Sequence, residues 1–428
     1  MRVPKKILHL ASTFFPAHTG GKEVFIYQLI KGIPHTDHLV VYHDQSNPGD
    51  TEYEGIRVRI LPEAVTGDPH YSYWSLLYDD LPGFKETLSE YKPDLVHFHD
   101  LCAGASLSHL RICRESGVKS LVTYHSPGSS CMQKGLIFAN QSPCDGKVLD
   151  HRCTVCRYRV NGIPATLASA LGRFKLPMNA HNKFILRHST ERFRKSFLEF
   201  FDNIDAIQVH ANWVKELFLR NGIPEEKIHL IPMGGHASLE RSKWRQPDPE
   251  QPLKAAFVGR CVNIKGVHLL VDAVKSLPPG KRIEVHFLGP YWDDTPYGRR
   301  LQSLTQGDER FKPPRMVPPE TIVEELSKMD VCIIPSLWPE TGPLSLFDAF
   351  AAGVPVIGTN HAGIAERVRH DVDGLLFEWG NSAELAAQLN RVLDDRKLLT
   401  RFKSAIAPNR TFPEMASGIR ELYTKIIN

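Results

Sequence analysis

The stretch VCIIPSLWPETGPLSLFDAFAAGVPVIGTNHAG, residues 331–363, decides how this 428-residue chain is read. Val331 to Pro335 is a short apolar run rich in β-branched residues, the mark of a strand covered on both faces. A loop from Ser336 to Gly342 follows it. Leu344, Leu346, Phe347, Phe350 and Ala351 then recur at helical spacing, Gly353 ends the helix, and Val354 to Ile357 reads as a second buried strand. This order puts Glu340 at the carboxyl end of a parallel strand, the edge where open α/β sheets bind ligands. Asp348 lies about two turns into the helix, on roughly the same face. Gly342, Pro343 and Leu344 open that helix, whose free N–H groups and dipole suit a phosphate.

Working outward, the alternation of short strands and helices continues in both directions. Ala255 to Val258 is the first strand of the second half, and Gly259, Arg260 and Lys265 sit in the loop after it. Two fixed cations there can neutralise a diphosphate leaving group without a metal. At the N-terminus, Lys6 to Ala11 is a strand, and Gly20-Gly21 precedes a helix from Lys22 to Gly32. Further strands fall at 38–43, 56–61, 93–100, 120–124, 205–210 and 227–231, with a helix around 74–91. The strand at 93–100 ends in His97, His99 and Asp100, and the next is followed by His125. A histidine at a strand end can cap its loop or serve chemistry; for His97 and His99 the expectation is packing, or support of the loop.

These signatures resemble a known family. Pro335-Ser336, Glu340-Thr341-Gly342-Pro343 and Asp348-Ala349-Phe350-Ala351-Ala352-Gly353 resemble the donor-site signature of retaining GT-B glycosyltransferases of family 4 (glycosyl transferases group 1), and Gly259-Arg260 with Lys265-Gly266 matches its G-R-x4-K-G motif. The resemblance implies two Rossmann-like α/β domains facing each other across a cleft. It implies that Glu340 contacts the donor sugar, that Asp348 contacts the nucleotide ribose, and that Arg260 and Lys265 bind the diphosphate. Asp348 stands where the family has Glu, one methylene shorter. The resemblance further implies that Gly20 and Gly21 face the donor, that Gly363 and Glu366 lie near its phosphates and sugar, and that His125 lies near the acceptor and the reacting carbon. The expected activity is transfer of a sugar from a nucleotide diphosphate sugar to a hydroxyl of a lipid-linked or glycan acceptor in surface polysaccharide assembly, without a catalytic metal. The alternatives are a non-catalytic GT-B subunit that binds a nucleotide sugar or glycan, and a GT-B epimerase.

Two stretches of the first half stand outside this pattern. Cys131, Cys144, Cys153 and Cys156 are spaced C-x12-C-x8-C-x2-C amid Gly, Pro, Asp and Ser, a set that could close a structural zinc site. Free thiols, a disulfide or an iron–sulfur cluster are the other readings. From Arg157 to Phe201 the chain holds Arg157, Arg159, Arg173, Lys175, Lys183, Arg187, Arg192, Arg194 and Lys195 against Glu191 and Glu199, interleaved with Leu, Ile and Phe. Such a basic amphipathic segment is a candidate for an anionic membrane surface, or a solvated helix face.

The expected division is an N-terminal acceptor domain over 1–235, with the Cys-rich insertion at about 126–160 and the basic segment at about 157–201, a linker over 236–252, a donor domain over 253–408, and a helix over 409–428 crossing back to the first domain. Composition fits: 42% hydrophobic and 23% charged residues describe an ordinary globular protein, and a net charge of +4 does not suggest a general nucleic-acid binder. No apolar run reaches the length of a membrane span. The apolar residues near the N-terminus read as a strand rather than a signal peptide, so the expected compartment is the cytoplasm, where cysteines are thiols or metal ligands.

Overall fold

A computed structural model describes residues 2–65, 77–174, 186–240, 244–289 and 295–428. The chain divides into two compact units, Met1–Pro232 with Pro413–Asn428, and Met233–Phe412.

The first unit is built on β1 (Lys6–Leu10), β2 (Asp37–His43), β3 (Gly49–Tyr53), β4 (Ile56–Leu61), β5 (Leu95–His99) and β6 (Lys119–Thr123). After β6 a two-stranded hairpin, β7 (Ile137–Phe138) and β8 (Ser142–Pro143), stands apart, and β9 (Ala206–Val209) and β10 (Ile228–Leu230) complete the large sheet. Its order is β10-β9-β6-β5-β1-β2-β4-β3, parallel throughout except for β3 against β4. The apolar runs of β1, β5 and β6 are buried because helices cover both faces of a parallel sheet.

The second unit carries β11 (Leu253–Val258), β12 (Ile283–Leu288), β13 (Val331–Ile334), β14 (Val356–Thr359) and β15 (Gly374–Phe377) in the order β12-β11-β13-β14-β15, all parallel. β12 and β13 lie on opposite sides of β11, so the switch point of this sheet lies between the carboxyl ends of β11 and β13.

Several local readings change. The strand expected at 354–357 runs from Val356 to Thr359, because Val354 N–H closes the preceding helix on Ala349 O at 2.8 Å and Pro355 has no N–H to give a ladder. The stretch expected as a linker, 236–252, is packed into the second unit. There His236 meets Asp348, Leu239 N–H donates to Ala351 O, Arg245 pairs with Asp330, and the Trp244 ring lies against Gly353. Compactness changes sides after Pro232 instead. The C-terminal helix Phe412–Ile427 places Met415, Ala416, Ile419, Leu422 and Tyr423 in buried positions, and from Pro413 on it belongs to the first unit.

The basic segment is not one amphipathic face. Helices Asp150–Val160, Ala165–Leu171 and Leu186–Asn203 are described; Lys175, Leu176, Lys183, Phe184 and Ile185 lie outside the described residues, as does 66–76 at the start of the helix expected at 74–91. Phe193, Phe197, Phe200 and Phe201 of the last helix are in the core, each stabilising it by roughly 1.5–3 kcal/mol. Arg194 pairs with Asp150 and Arg187 with Glu191. The helix therefore turns its apolar side inward. Among the described residues no helix is long and apolar enough to cross a membrane.

Candidate functional site

In the second unit the loops at the switch point are stitched together. Ile264 O accepts from Leu337 N–H at 2.9 Å and from Trp338 N–H at 3.0 Å, which fixes the loop after β11 to the loop after β13. Gly266 has φ +69°, and a Cβ there would lie 1.8 Å from Pro335 O, so only glycine allows this approach. The result is an ion pair: Lys265 Nζ donates to Glu340 Oε1 at 2.6 Å, and Ser336 Oγ donates to the same oxygen at 2.8 Å. Glu340 is buried. Its carbonyl accepts Gly363 N–H at 2.8 Å, and a Cβ on Gly363 would come within 2.4 Å of that oxygen. Gly363 thus acts through backbone fit.

Arg260, next to Gly259, is exposed, and its guanidinium makes no hydrogen bond or ion pair among the described residues. Gly342 packs on Met233, and Pro343 caps the helix Leu344–Ala351. Glu366 is exposed just past the short turn Ala362–Ala365. Asp348 is not beside Glu340's cation. It is buried in the helix with Oδ1 accepting from His236 Nδ1 at 2.8 Å. Burial pushes the Asp348 carboxyl up and His236 draws it down; the hydrogen bond to Asp348 in turn raises His236 against its own burial. Sequence reasoning missed His236, which lies in a stretch whose composition reads only as a linker.

The first unit holds a different assembly. Asp100, at φ +74°, closes β5, and its carboxylate accepts from His125 N–H at 2.7 Å, Ser126 N–H at 3.0 Å, Ser126 Oγ at 3.1 Å and Ser129 Oγ at 3.0 Å. This fixes the backbone of His125. Behind it runs a chain of imidazoles. His38 Nε2 lies 3.2 Å from Ile33 O, His9 Nε2 lies 2.9 Å from His38 Nδ1, His99 Nε2 lies 3.1 Å from His9 Nδ1, and His125 Nε2 lies 3.2 Å from His99 Nδ1.

A carbonyl can only accept, so His38 must donate from Nε2 and accept at Nδ1. Each neutral ring passes the same constraint to the next, and all four carry their proton on Nε2. His125 therefore presents Nδ1 as an acceptor. Burial lowers the pKa of His9, His38, His99 and His125, so these rings are held neutral. The donor atoms of His9, His97 and His99 all lie within 4.8 Å of one another, close enough for a metal. Their nitrogens are nonetheless all in hydrogen bonds, those of His97 with Tyr423 Oη and Thr123 Oγ1. His97 thus ties the C-terminal helix to β5 as a core residue. The overlooked signal was a histidine inside each of three otherwise apolar strands.

Gly20 and Gly21 lie before and at the start of the helix Gly21–Lys31. Its buried Glu23 accepts Thr13 Oγ1 at 2.8 Å and stands 3.3 Å from His18 Nδ1, while Lys22 donates to Ser12 Oγ. The glycine loop is therefore framed by a buried acid that the sequence reading left out.

Cys131, Cys144, Cys153 and Cys156 are free thiols that line one cavity of about 40 Å³. No three of their sulfurs are within 4.8 Å of one another.

Comparison with known proteins fixes the family. Residues 19–236 match the family model described as Glycosyltransferase Family 4, and residues 239–407 match Glycosyl transferases group 1. The chain belongs to glycosyltransferase family 4. Among curated proteins this family member is 30% identical over 215 residues to the amylovoran biosynthesis glycosyltransferase AmsK of Erwinia amylovora, covering 48% of this chain and 52% of that protein. It is 31% identical over 215 residues to the putative colanic acid biosynthesis glycosyltransferase WcaL of Escherichia coli K12, covering 48% and 50%. The chain thus spans about half the length of these relatives. Among solved structures, sucrose-phosphate synthase from Thermosynechococcus elongatus superposes with TM-score 0.64 at 19% identity, covering 98% of both chains. Anabaena HepE in complex with UDP and glucose gives TM-score 0.64 at 14% identity, covering 98% and 99%. At such identities the likeness shows the fold: two Rossmann-like α/β domains of the GT-B class.

Proposed function

We propose that this family member is a retaining glycosyltransferase that moves a sugar from a nucleoside diphosphate sugar to a hydroxyl of a glycan or lipid-linked acceptor in surface polysaccharide assembly. The observation that carries the reading is the Lys265–Glu340 pair at the β11/β13 switch point, with Arg260 exposed beside it. Arg260 and Lys265 take the diphosphate, and Glu340, oriented by Lys265 and Ser336, receives hydroxyls of the donor sugar. With Oδ1 held by His236, Asp348 offers Oδ2 to the ribose. The first-turn N–H groups after Gly342 and Pro343 add partial positive charge for the phosphates. HepE, crystallised with UDP and glucose, supports a uridine diphosphate sugar as the first donor to try.

In the proposed step the acceptor oxygen attacks the anomeric carbon from the face the diphosphate leaves. The bond from that carbon to the phosphate oxygen breaks, and the acceptor proton passes to the departing phosphate. No side chain serves as nucleophile and no metal is required, since the two cations meet the developing charge. His125 accepts a sugar hydroxyl at Nδ1. AmsK and WcaL, by name enzymes of polysaccharide biosynthesis, support the acceptor class. The cations of the basic segment give a weak attachment to anionic membrane, by charge alone where its phenylalanines are buried.

The test is a thermal-shift and hydrolysis screen across nucleotide sugars, with and without EDTA. Stabilisation by one nucleotide sugar and slow release of its nucleoside diphosphate, unaffected by EDTA once any structural zinc is allowed for, is the expected result. Binding without hydrolysis or transfer would make the chain a non-catalytic subunit. Activity restored only by magnesium or manganese would reject the mechanism.

A further inference from the structure

The insertion between β6 and β9 has its own architecture. Cys131 precedes the β7–β8 hairpin, Cys144 follows it, and Cys153 and Cys156 sit three residues apart in the helix Asp150–Val160. Residues at i and i+3 of a helix share a face. Three separate pieces of backbone thus bring a thiol to the same cavity, which Met132, Leu136, Ile137, Phe138, Val148 and Phe193 otherwise line with apolar surface. About 40 Å³ exceeds the roughly 10–15 Å³ that a single water-sized sphere needs.

An N–H donor and several cations stand beside the sulfurs. Ala139 N–H donates to Cys156 Sγ at 3.2 Å, and Arg152 Nη2 stands 3.7 Å from Cys144 Sγ while its other nitrogen holds Asp145. Lys147 and Arg157 also border the cavity. A tetrathiolate around a divalent ion carries a net charge of −2, and these cations complement it; two disulfides would be neutral. The backbone also needs a clamp. Lys134, Leu136, Ala139 and Asn140 all have positive φ, between +49° and +59°, which costs of order 1–3 kcal/mol at each non-glycine position and persists only where the surroundings impose it. No histidine or carboxylate lines the cavity, so its ligand set is all sulfur, which selects a soft or borderline ion.

We propose that Cys131, Cys144, Cys153 and Cys156, no three of whose sulfurs yet converge, turn inward across their shared cavity to bind one structural zinc ion that clamps the β7–β8 hairpin to the helix Asp150–Val160. The clamp bears on the catalytic side of the unit, because Cys131 directly follows Ser129 and Ser130, whose hydroxyls hold Asp100 and Tyr124 behind His125. The site is a scaffold and supplies no chemistry to the transfer.

The experiment is metal analysis of the full chain purified under reducing conditions without chelator. It should contain about one zinc per chain. After removal of zinc the protein should take up cobalt(II) with the visible bands of tetrahedral thiolate coordination. Cys153→Ser with Cys156→Ser should lose at least about tenfold in metal content, and Cys113→Ala, a core thiol outside the cluster, should keep it. If the double variant fails to fold, the cobalt spectrum of the parent still decides. Protein that holds no metal and takes none up, that carries iron instead, or whose four cysteines are recovered as disulfides would overturn the proposal. None of these readouts depends on whether the enzyme transfers a sugar.

Discussion

Glu340 and His125 both stand just beyond the carboxyl ends of parallel strands, yet they are held in opposite ways. Glu340 is an anion met by a cation, Lys265, and by a hydroxyl, Ser336, on two loops stitched by Ile264 O. His125 is neutral, fixed through its backbone by Asp100 and through its ring by a chain of three more imidazoles reaching back to β2. One unit gathers opposite charges at a sheet edge. The other keeps charge out and hands on a proton position. The comparison teaches that charge balance can be arranged locally, whereas a tautomer has to be anchored at a remote carbonyl.

The sharpest break would come from the cations. Arg260→Ala and Lys265→Ala should each cut transfer by about a hundredfold or more, the scale of losing one preorganised charge. They should differ in stability. Among the described residues Arg260 has no partner to lose, while Lys265→Ala takes the cation from a buried carboxylate and costs roughly 2 kcal/mol in urea unfolding. Equal and near-normal rates in both would remove the diphosphate assignment. Glu340→Gln should lower turnover while nucleoside diphosphate affinity, read by calorimetry, stays within about twofold.

Next in size is His99→Leu, which cuts the imidazole chain. We expect turnover to fall about tenfold with KM little changed, because His125 stays in place but loses its fixed tautomer. Nitrogen-15 NMR of labelled histidines should show His125 leave the Nε2–H form. An unchanged His125 spectrum would break the relay argument.

The two units should also answer pH with opposite sign. Burial lowers His97 to about 3 and His9 and His99 well below 6.5. The unfolded chain therefore binds more protons, and the stability these rings confer is lost as pH falls below about 6.5, by up to about 1.4 kcal/mol per pH unit for each ring. His236 is raised by Asp348, so its contribution is present below about 6.5 and is lost as pH rises through its elevated pKa. His236→Ala should cost about 1–3 kcal/mol at pH 6 and less at pH 9, measured by denaturant titration. A penalty that grows with pH would reverse the assignment. The smallest effect is membrane contact: replacing Arg192, Arg194 and Lys195 with Gln should lower pelleting with anionic vesicles by a few-fold and leave neutral vesicles unchanged.

The sequence by itself determined the α/β class, the presence of two α/β units, and the candidate donor residues of the second half, whereas the boundary it put at 235, with a linker to 252, was moved to Pro232 by the structure. The donor residues could be read because Glu340, Gly342, Pro343 and Asp348 lie on one strand–loop–helix unit, and Arg260 and Lys265 on one loop, where spacing along the chain fixes spacing in space. Only the tertiary structure decided the partners: Lys265 with Glu340 across 75 positions, His236 with Asp348 across 112, and His38, His9, His99 and His125 drawn from three strands and a loop. Parallel strands adjacent in a sheet need not be adjacent in sequence. A side chain's partner on the next strand is set by register and crossover, which no local pattern encodes.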